Sequence, residues 1–155
     1  MLRLALAGEP RFALDEADAH SGQPTYTIGT LGRLRAELGK ELPLVFIMGS
    51  DQFRALEGWK DWQRLFALTH FAVASRPGHA VDSASLSPRL SEELAARRAV
   101  RIDGSPAGSI VEFAMPPSTI SASAIRAALA SGQNAGDTLP PAVLAYIRSH
   151  HLYMD

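Results

Sequence analysis

The chain has 155 residues, of which 46% are hydrophobic, and this is enough to bury one substantial core but short for two complete domains. Its formal net charge of -1, without a long run of either sign, provides no field that would hold a nucleic acid, and the absence of cysteine excludes disulfides, thiolate metal sites and cysteine nucleophiles. We therefore expect a single domain over residues 1–155, located in the cytoplasm, with no nucleic-acid partner.

The first residues have the sequence pattern of the interior of a helix. Residues 1–8 are apolar but too short to span a membrane, and they lack the features of a signal peptide. No capping residue precedes Leu2, so we expect the chain to begin inside an element and to have no membrane partner. Residues 12–14 then predict a short strand, and the polar residues 15–24 predict a loop.

A helix followed by a buried strand is predicted next. From Thr27 the apolar residues recur at a spacing near 3.6 until Gly39, which is typical of an amphipathic helix. The continuous apolar run of residues 44–48 predicts a parallel strand buried on both faces. It ends in Gly49, Ser50 and Asp51.

The remaining elements continue this alternation of strands and helices. Short helices are predicted up to Leu56 and over residues 61–68, strands over 70–75 and 110–115, and helices over 89–98, from Ser121 to Gly132 and from Pro140. The helix over residues 89–98 has few large apolar residues and is predicted to lie on the surface. The alternation favours an α/β fold with a parallel sheet flanked by helices, in which ligands bind beyond the carboxyl ends of the strands.

The start of the helix after Ser121 is a candidate anion site. Ser121 and Ser123 offer hydroxyls, Arg126 offers a guanidinium, and the first helical turn adds unpaired N–H groups and partial positive charge. These groups suit a polyphosphate. An ordinary helix capped by Ser121, with Arg126 in solvent, remains the alternative.

Three further candidates lie at the end of the first buried strand or after it. Gly49 would allow a ligand to approach the backbone, and Asp51 would present a carboxylate to ribose hydroxyls or a metal, although Asp51 could also simply cap the next helix. Trp59 could offer a flat face to an aromatic ring, or it could pack as an ordinary buried tryptophan.

Three residues are weaker candidates for the wall of a pocket. Tyr26 and Thr27 open the first long helix, where capping by Thr27 is the simpler interpretation, and Arg76 follows a strand, where it could meet a phosphate or act as a plain loop residue. The histidines have no metal-ligand spacing and no neighbouring serine or cysteine nucleophile pattern, so no metal-binding residue is assigned.

Taken in order, these segments resemble the bacterial nicotinate-nucleotide adenylyltransferase family. The matching pieces are P-T-Y-T-x-x-T-L at 24–31, F-I-M-G-S-D at 46–51, Trp59, S-R-P-G at 75–78, I-S-A-S-x-I-R at 120–126 and the ending from Leu139 to Tyr153. The resemblance covers nearly the whole chain.

The resemblance implies a Rossmann-like nucleotidyltransferase fold and transfer of the adenylyl group of ATP to nicotinate mononucleotide, with Mg²⁺, to give deamido-NAD and pyrophosphate. It assigns the ATP site to Ser121, Ser123, Arg126, Gly49 and Asp51. It assigns the nicotinate-nucleotide site to Trp59, which would stack on the ring, with Tyr26, Thr27 and Arg76 around it.

One family feature is missing from this sequence. The family opens with a strand, a glycine-rich turn and an H-x-G-H motif whose histidines stabilise the reacting phosphates, and no H-x-G-H occurs here. We therefore expect a chain that lacks the first strand-helix unit, has impaired turnover and no catalytic residue of that motif, and exposes strand edges that favour aggregation or a homo-oligomer. A start codon placed too late and a genuinely shortened protein both explain it.

Two alternatives for the function stay open. A catalytically silent nucleotide-binding module would keep the phosphate site without the chemistry. An adenylyltransferase with another acceptor, such as nicotinamide mononucleotide or phosphopantetheine, would keep the chemistry with a different pocket. Trp59 and the Tyr26-Thr27 segment favour a pyridine nucleotide.

Overall fold

The structure is a computed structural model that describes residues 1–75, 81, 83–116, 118, 120–133, 136 and 138–153. In these residues the chain forms eight α-helices and three β-strands. The helices are α1 (Leu2–Leu6), α2 (Ala17–His20), α3 (Thr27–Leu38), α4 (Ser50–Arg54), α5 (Trp62–Leu65), α6 (Pro88–Arg97), α7 (Ala122–Ala130) and α8 (Pro141–Ser149). The strands are β1 (Val45–Gly49), β2 (His70–Ser75) and β3 (Ile110–Ala114).

The contacts group the chain into two compact units, which are Met1–Ala17 with Ser118–Asp155, and Asp18–Pro117. The single domain expected from the sequence stays a prediction. No helix in the described residues combines the length and the apolar character that a membrane crossing needs.

The unit Asp18–Pro117 contains a parallel sheet in the order β1-β2-β3. The central strand β2 pairs with β1 in the register Ile47 to Ala72 and with β3 in the register Ala72 to Val111. The predicted parallel sheet flanked by helices is therefore confirmed, and β2 has the bounds that its apolar run predicts.

One core joins the sheet to the helices of this unit. The core includes side chains from α3, α4, α5, α6 and all three strands, because each of these elements has one apolar face. Its buried members are Leu31, Met48, Phe53, Leu56, Leu65, Phe66, Phe71, Val73, Val81, Leu90, Leu94 and Ile110. The two apolar residues of α6, Leu90 and Leu94, are 0% and 2% exposed, so two well-placed leucines anchor a helix whose outer face is polar.

The other unit has a smaller apolar cluster between α7 and α8. Leu129 of α7 and Val143, Leu144 and Ile147 of α8 are buried in it. The predicted start and end of α7 are confirmed, since Ser121 is the capping residue and Gly132 has a positive φ of 71°. The helical start of the chain is also confirmed, as α1.

Two expectations about local structure are wrong. Residues 12–14 form no strand, because within the described residues no strand pairs with them, and Phe12 is 61% exposed. The predicted loop over residues 15–24 contains the short helix α2. Both predictions depended on short sequence patterns, and short patterns determine local structure only weakly.

The strand β1 is less buried than its apolar run predicts. Ile47 is 68% exposed and Val45 is 38% exposed, whereas Met48 on the opposite face is buried. Successive side chains of a strand point to opposite faces, so the core covers the face of β1 with Met48 and leaves the face with Val45 and Ile47 exposed. In the described residues β1 is also an edge strand with β2 as its partner. The exposed apolar edge agrees with the expectation stated above, while pairing with another chain stays a prediction.

Candidate functional site

The segment that follows β1 brings a carboxylate back over the end of the strand. A Cβ built on Gly49 would come within 2.5 Å of the Asp51 Oδ1 atom. Glycine at position 49 therefore leaves the space that the Asp51 side chain uses. Asp51 lies in the first turn of α4 and is exposed, whereas Ser50 between them is buried. Gly49 is the residue at the α4 cap and makes no side-chain cap bond, so the alternative role of Asp51 as the cap is wrong.

Trp59 is held by a turn and by an aromatic neighbour. Its backbone N–H donates to the Leu56 carbonyl at 2.9 Å, and its ring meets the Phe46 ring of β1 edge to face, with centroids 6.0 Å apart. Trp59 is half-buried against the core, and so the indole has a fixed orientation and a part that remains exposed. Packing of Trp59 is therefore confirmed, and its role as a face for an aromatic ring stays a prediction.

Tyr26 and Thr27 open α3 in a way that differs from the expected cap. Tyr26 is the capping residue, with no side-chain cap bond, and Thr27 is the first helical residue, so capping by Thr27 is wrong. The Tyr26 carbonyl accepts from the Gly29 N–H at 2.8 Å, which fixes the backbone of Tyr26. The Tyr26 ring is 51% exposed.

Lys60 contacts Tyr26, and the sequence analysis did not anticipate this contact. Its Nζ atom lies 4.6 Å from the centroid of the Tyr26 ring, a cation–π distance. The two residues are far apart in the chain, and no local pattern links them. The described residues of this unit thus hold the Lys60 ammonium over the Tyr26 ring, and separately pack the Trp59 indole against Phe46.

The start of α7 has the cap that the sequence predicts. The Ser121 hydroxyl accepts from the Ala124 N–H at 3.1 Å, and the Ser121 carbonyl accepts from the Ile125 N–H at 3.0 Å. Ser121, Ser123 and Arg126 are all exposed. Because a hydroxyl both donates and accepts, Ser121 can cap the helix and still donate its own proton to an anion.

Two other expectations concern residues away from these segments. Arg76 lies outside the described residues. His70, which was left without a role, is fully buried, and both of its ring nitrogens bond backbone groups of the segment before β3. Among the described residues there is no group of three His, Cys, Asp or Glu side chains that could hold a metal ion.

A parallel α/β sheet with glycine, hydroxyl and carboxylate groups after its strands is typical of nucleotide-binding transferases. The model of the cytidylyltransferase-like family matches residues 1–128, which is more than half of the chain. The class is therefore a nucleotidyltransferase.

Relatives identify the family within that class. A protein of Dechloromonas aromatica described as a probable nicotinate-nucleotide adenylyltransferase is 46% identical over 156 residues, covering 99% of this chain and 72% of the relative. A Chromobacterium violaceum protein of the same description is 44% identical, again covering 99% of this chain and 72% of the relative. The chain belongs to the nicotinate-nucleotide adenylyltransferase family, and it is shorter than these relatives.

A solved structure supports the fold. The nicotinic acid mononucleotide adenylyltransferase of Plasmodium falciparum complexed with APC superposes with a TM-score of 0.61 at 21% identity. The match covers 91% of this chain but 64% of that one, so the chain spans less than two thirds of that structure. Nucleotidyltransferases of this kind generally use a divalent metal ion with ATP.

Proposed function

We propose that the protein transfers the adenylyl group of ATP to nicotinate mononucleotide, giving deamido-NAD and pyrophosphate for NAD biosynthesis. The observation that carries the proposal is the 46% identity with a relative of that description over 99% of the chain. In this reaction an oxygen of the mononucleotide's 5′-phosphate attacks the α-phosphorus of ATP. The bond from the α-phosphorus to the bridging oxygen breaks, and pyrophosphate leaves with that oxygen.

Such a displacement asks the protein to position two phosphates and to neutralise their charge, with no covalent intermediate on the protein. Ser121, Ser123 and Arg126 are assigned to the ATP phosphates. Their exposure supports this role, and so do the free N–H groups and partial positive charge in the first turn of the nine-residue helix α7. Arg126 supplies a planar guanidinium that can donate to two phosphate oxygens at once.

Gly49 and Asp51 are assigned to the nucleotide part of the ATP site. The Asp51 carboxylate can accept hydrogen bonds from ribose hydroxyls, and it is also the type of hard oxygen ligand that Mg²⁺ takes beside waters and substrate phosphates. Mg²⁺ bound with ATP would neutralise phosphate charge. The open space above Gly49 is what lets the Asp51 side chain turn back over the strand end.

The nicotinate nucleotide is assigned to Trp59, Tyr26, Thr27 and Arg76. The support for Trp59 is its fixed ring and its exposed part, since a ring that is already oriented loses little conformational entropy when a pyridine stacks on it. Tyr26 and Thr27 belong to the same unit at the start of α3.

We propose further that residues 1–155 by themselves bind nucleotide but turn it over negligibly. The reason is that the sequence contains no H-x-G-H motif, and preorganised phosphate-stabilising groups each contribute roughly 3 to 4 kcal/mol to lowering such barriers.

The test is pyrophosphate release with ATP, Mg²⁺ and nicotinate mononucleotide, measured for the 155-residue chain and for a longer chain read from the same frame upstream of Met1. Turnover by the longer chain alone supports both proposals. Rapid turnover by residues 1–155 contradicts the proposed impairment, and ATP binding without turnover in either chain favours the silent nucleotide-binding module. In the longer chain, Arg126→Met should abolish most of the activity, with Arg148→Met on α8 as the matched control.

A further inference from the structure

The Ser50 hydroxyl differs from the other buried polar groups of the structure. In the described residues the buried polar side chains are those of Ser50, Thr69 and His70. The Thr69 hydroxyl donates to the Leu44 carbonyl at 2.9 Å, and both ring nitrogens of His70 bond backbone groups. Ser50 is 8% exposed, yet its hydroxyl makes no hydrogen bond in the described part of the chain. The packing of the protein therefore encloses this hydroxyl without using it.

The Ser50 oxygen nevertheless reaches the surface. Within the described residues, the fully enclosed side-chain oxygen that lacks a hydrogen bond is Oε1 of Glu112, which has Arg98 as its ion-pair partner. The Ser50 Oγ atom is not enclosed in that way, so the small exposed part of the residue includes its hydroxyl. Polar groups in such positions nearly always have a partner, and one without a protein partner is available to a ligand.

The position of Ser50 indicates which ligand group it can bind. Ser50 follows β1 directly, at the carboxyl end of the strand, where parallel sheets bind ligands. Its neighbours Gly49 and Asp51 are the residues that the proposed function assigns to the nucleotide part of the ATP site. A carboxylate only accepts hydrogen bonds, whereas a serine hydroxyl both donates and accepts, so the two together suit the two neighbouring hydroxyls of a ribose. A phosphate would carry the same charge as Asp51.

We propose that the Ser50 hydroxyl hydrogen-bonds one of the two ribose hydroxyls of ATP and makes the protein select a ribonucleotide over the deoxynucleotide that lacks this group. The inference rests on the proposed function and adds a specificity-determining residue to its ATP site. It also gives the enclosed hydroxyl the partner that the described residues do not supply.

The test measures the binding of ATP, 2′-deoxy-ATP and 3′-deoxy-ATP to the 155-residue chain by titration calorimetry. Ser50→Ala should weaken binding of ATP by about three- to tenfold, the size expected for one hydrogen bond. For the deoxy analogue that lacks the hydroxyl bound by Ser50, the affinity should be the same in Ser50→Ala as in the unmodified chain. The analogue that behaves in this way identifies the ribose position.

The matched control is Thr69→Val, which removes a buried hydroxyl that has a partner in the protein. This variant should lower the urea midpoint and leave the preference for ATP over the deoxy analogues unchanged. Ser50→Ala should not lower the urea midpoint, because no hydrogen bond within the described residues is lost.

Several outcomes would overturn the assignment of Ser50. Equal weakening of ATP and both analogues, unchanged affinity for ATP, or a urea midpoint lowered as much as in Thr69→Val each contradict it. In these cases ATP still binds the unmodified chain, so the proposed function stands. If the unmodified chain does not bind ATP, the proposed ATP site fails and this inference fails with it.

Discussion

The Arg35 guanidinium donates from Nη2 to the Pro106 carbonyl at 2.9 Å, which ties the end of α3 to the segment that leads into β3. The same side chain donates to the carbonyls of Leu68, before β2, and of Leu42, before β1. One cation therefore joins the segments that enter all three strands, at the end of the sheet opposite Gly49 and Asp51.

Replacing this cation should destabilise the sheet. Arg35→Met removes the guanidinium donors from the partly buried carbonyls of Leu68 and Pro106, of which Pro106 still accepts from the Leu44 N–H, so the free energy of unfolding should fall by about 2 to 4 kcal/mol. Urea denaturation measures this change. Arg64→Met removes an exposed ion pair in the same unit and should cost no more than about 0.5 kcal/mol. Similar losses for the two variants would contradict the role assigned to Arg35.

His70 should be needed for the same end of the sheet. Its Nδ1 atom accepts from the Ser109 N–H at 3.0 Å, which leaves Nε2 to donate to the Ser105 carbonyl at 2.6 Å. Because the ring is fully buried, His70→Leu leaves the Ser109 N–H and the Ser105 carbonyl without their hydrogen-bond partner. This should lower the free energy of unfolding by about 2 to 4 kcal/mol. Urea denaturation of His70→Leu beside His20→Leu, an exposed histidine, checks this, and equal losses would refute it.

The loop that His70 holds also contains a carboxylate with a shifted titration. The Ser105 hydroxyl and N–H both donate to Asp103 Oδ1, and these bonds keep the pKa of Asp103 below its ordinary value. A carboxyl whose pKa is lower in the folded state adds stability at neutral pH that disappears as the pH falls through that pKa. In Ser105→Ala the pKa of Asp103 should rise toward its ordinary value, as followed by NMR titration. An unchanged pKa would mean that the hydroxyl is not its main cause.

Several of these features could be predicted from the sequence and others could not. The bounds of β2 and the cap and end of α7 depend on local patterns, and the sequence predicts them well. The Lys60 contact with Tyr26 depends on the folding of distant segments against one another. The exposure of Ile47 depends on what packs on its face of β1, and an apolar run carries no information about that.

The space above Gly49 should matter for ligand binding more than for stability. In Gly49→Ala the new Cβ displaces the Asp51 carboxylate, which is exposed and free to swing away, so stability should change by less than about 1 kcal/mol. Affinity for ATP should fall by about fivefold, as measured by calorimetry. Asp51→Ala should cause a similar loss, and combining the two should add little, because both act through one carboxylate. Fully additive losses would show that Gly49 acts separately.

The two serines at the start of α7 should separate capping from phosphate binding. The Ser121 hydroxyl accepts from the Ala124 N–H, so Ser121→Ala should destabilise the chain by about 1 kcal/mol and also weaken ATP binding. In the described residues the structure gives Ser123 no side-chain hydrogen bond, so Ser123→Ala should leave the urea midpoint unchanged while weakening ATP binding by about three- to tenfold. Serine at position 131, at the other end of α7, provides the control as Ser131→Ala. If Ser123→Ala leaves the affinity for ATP unchanged, the assignment of Ser123 to the ATP phosphates is wrong. The start of α7 is then an ordinary helix start capped by Ser121.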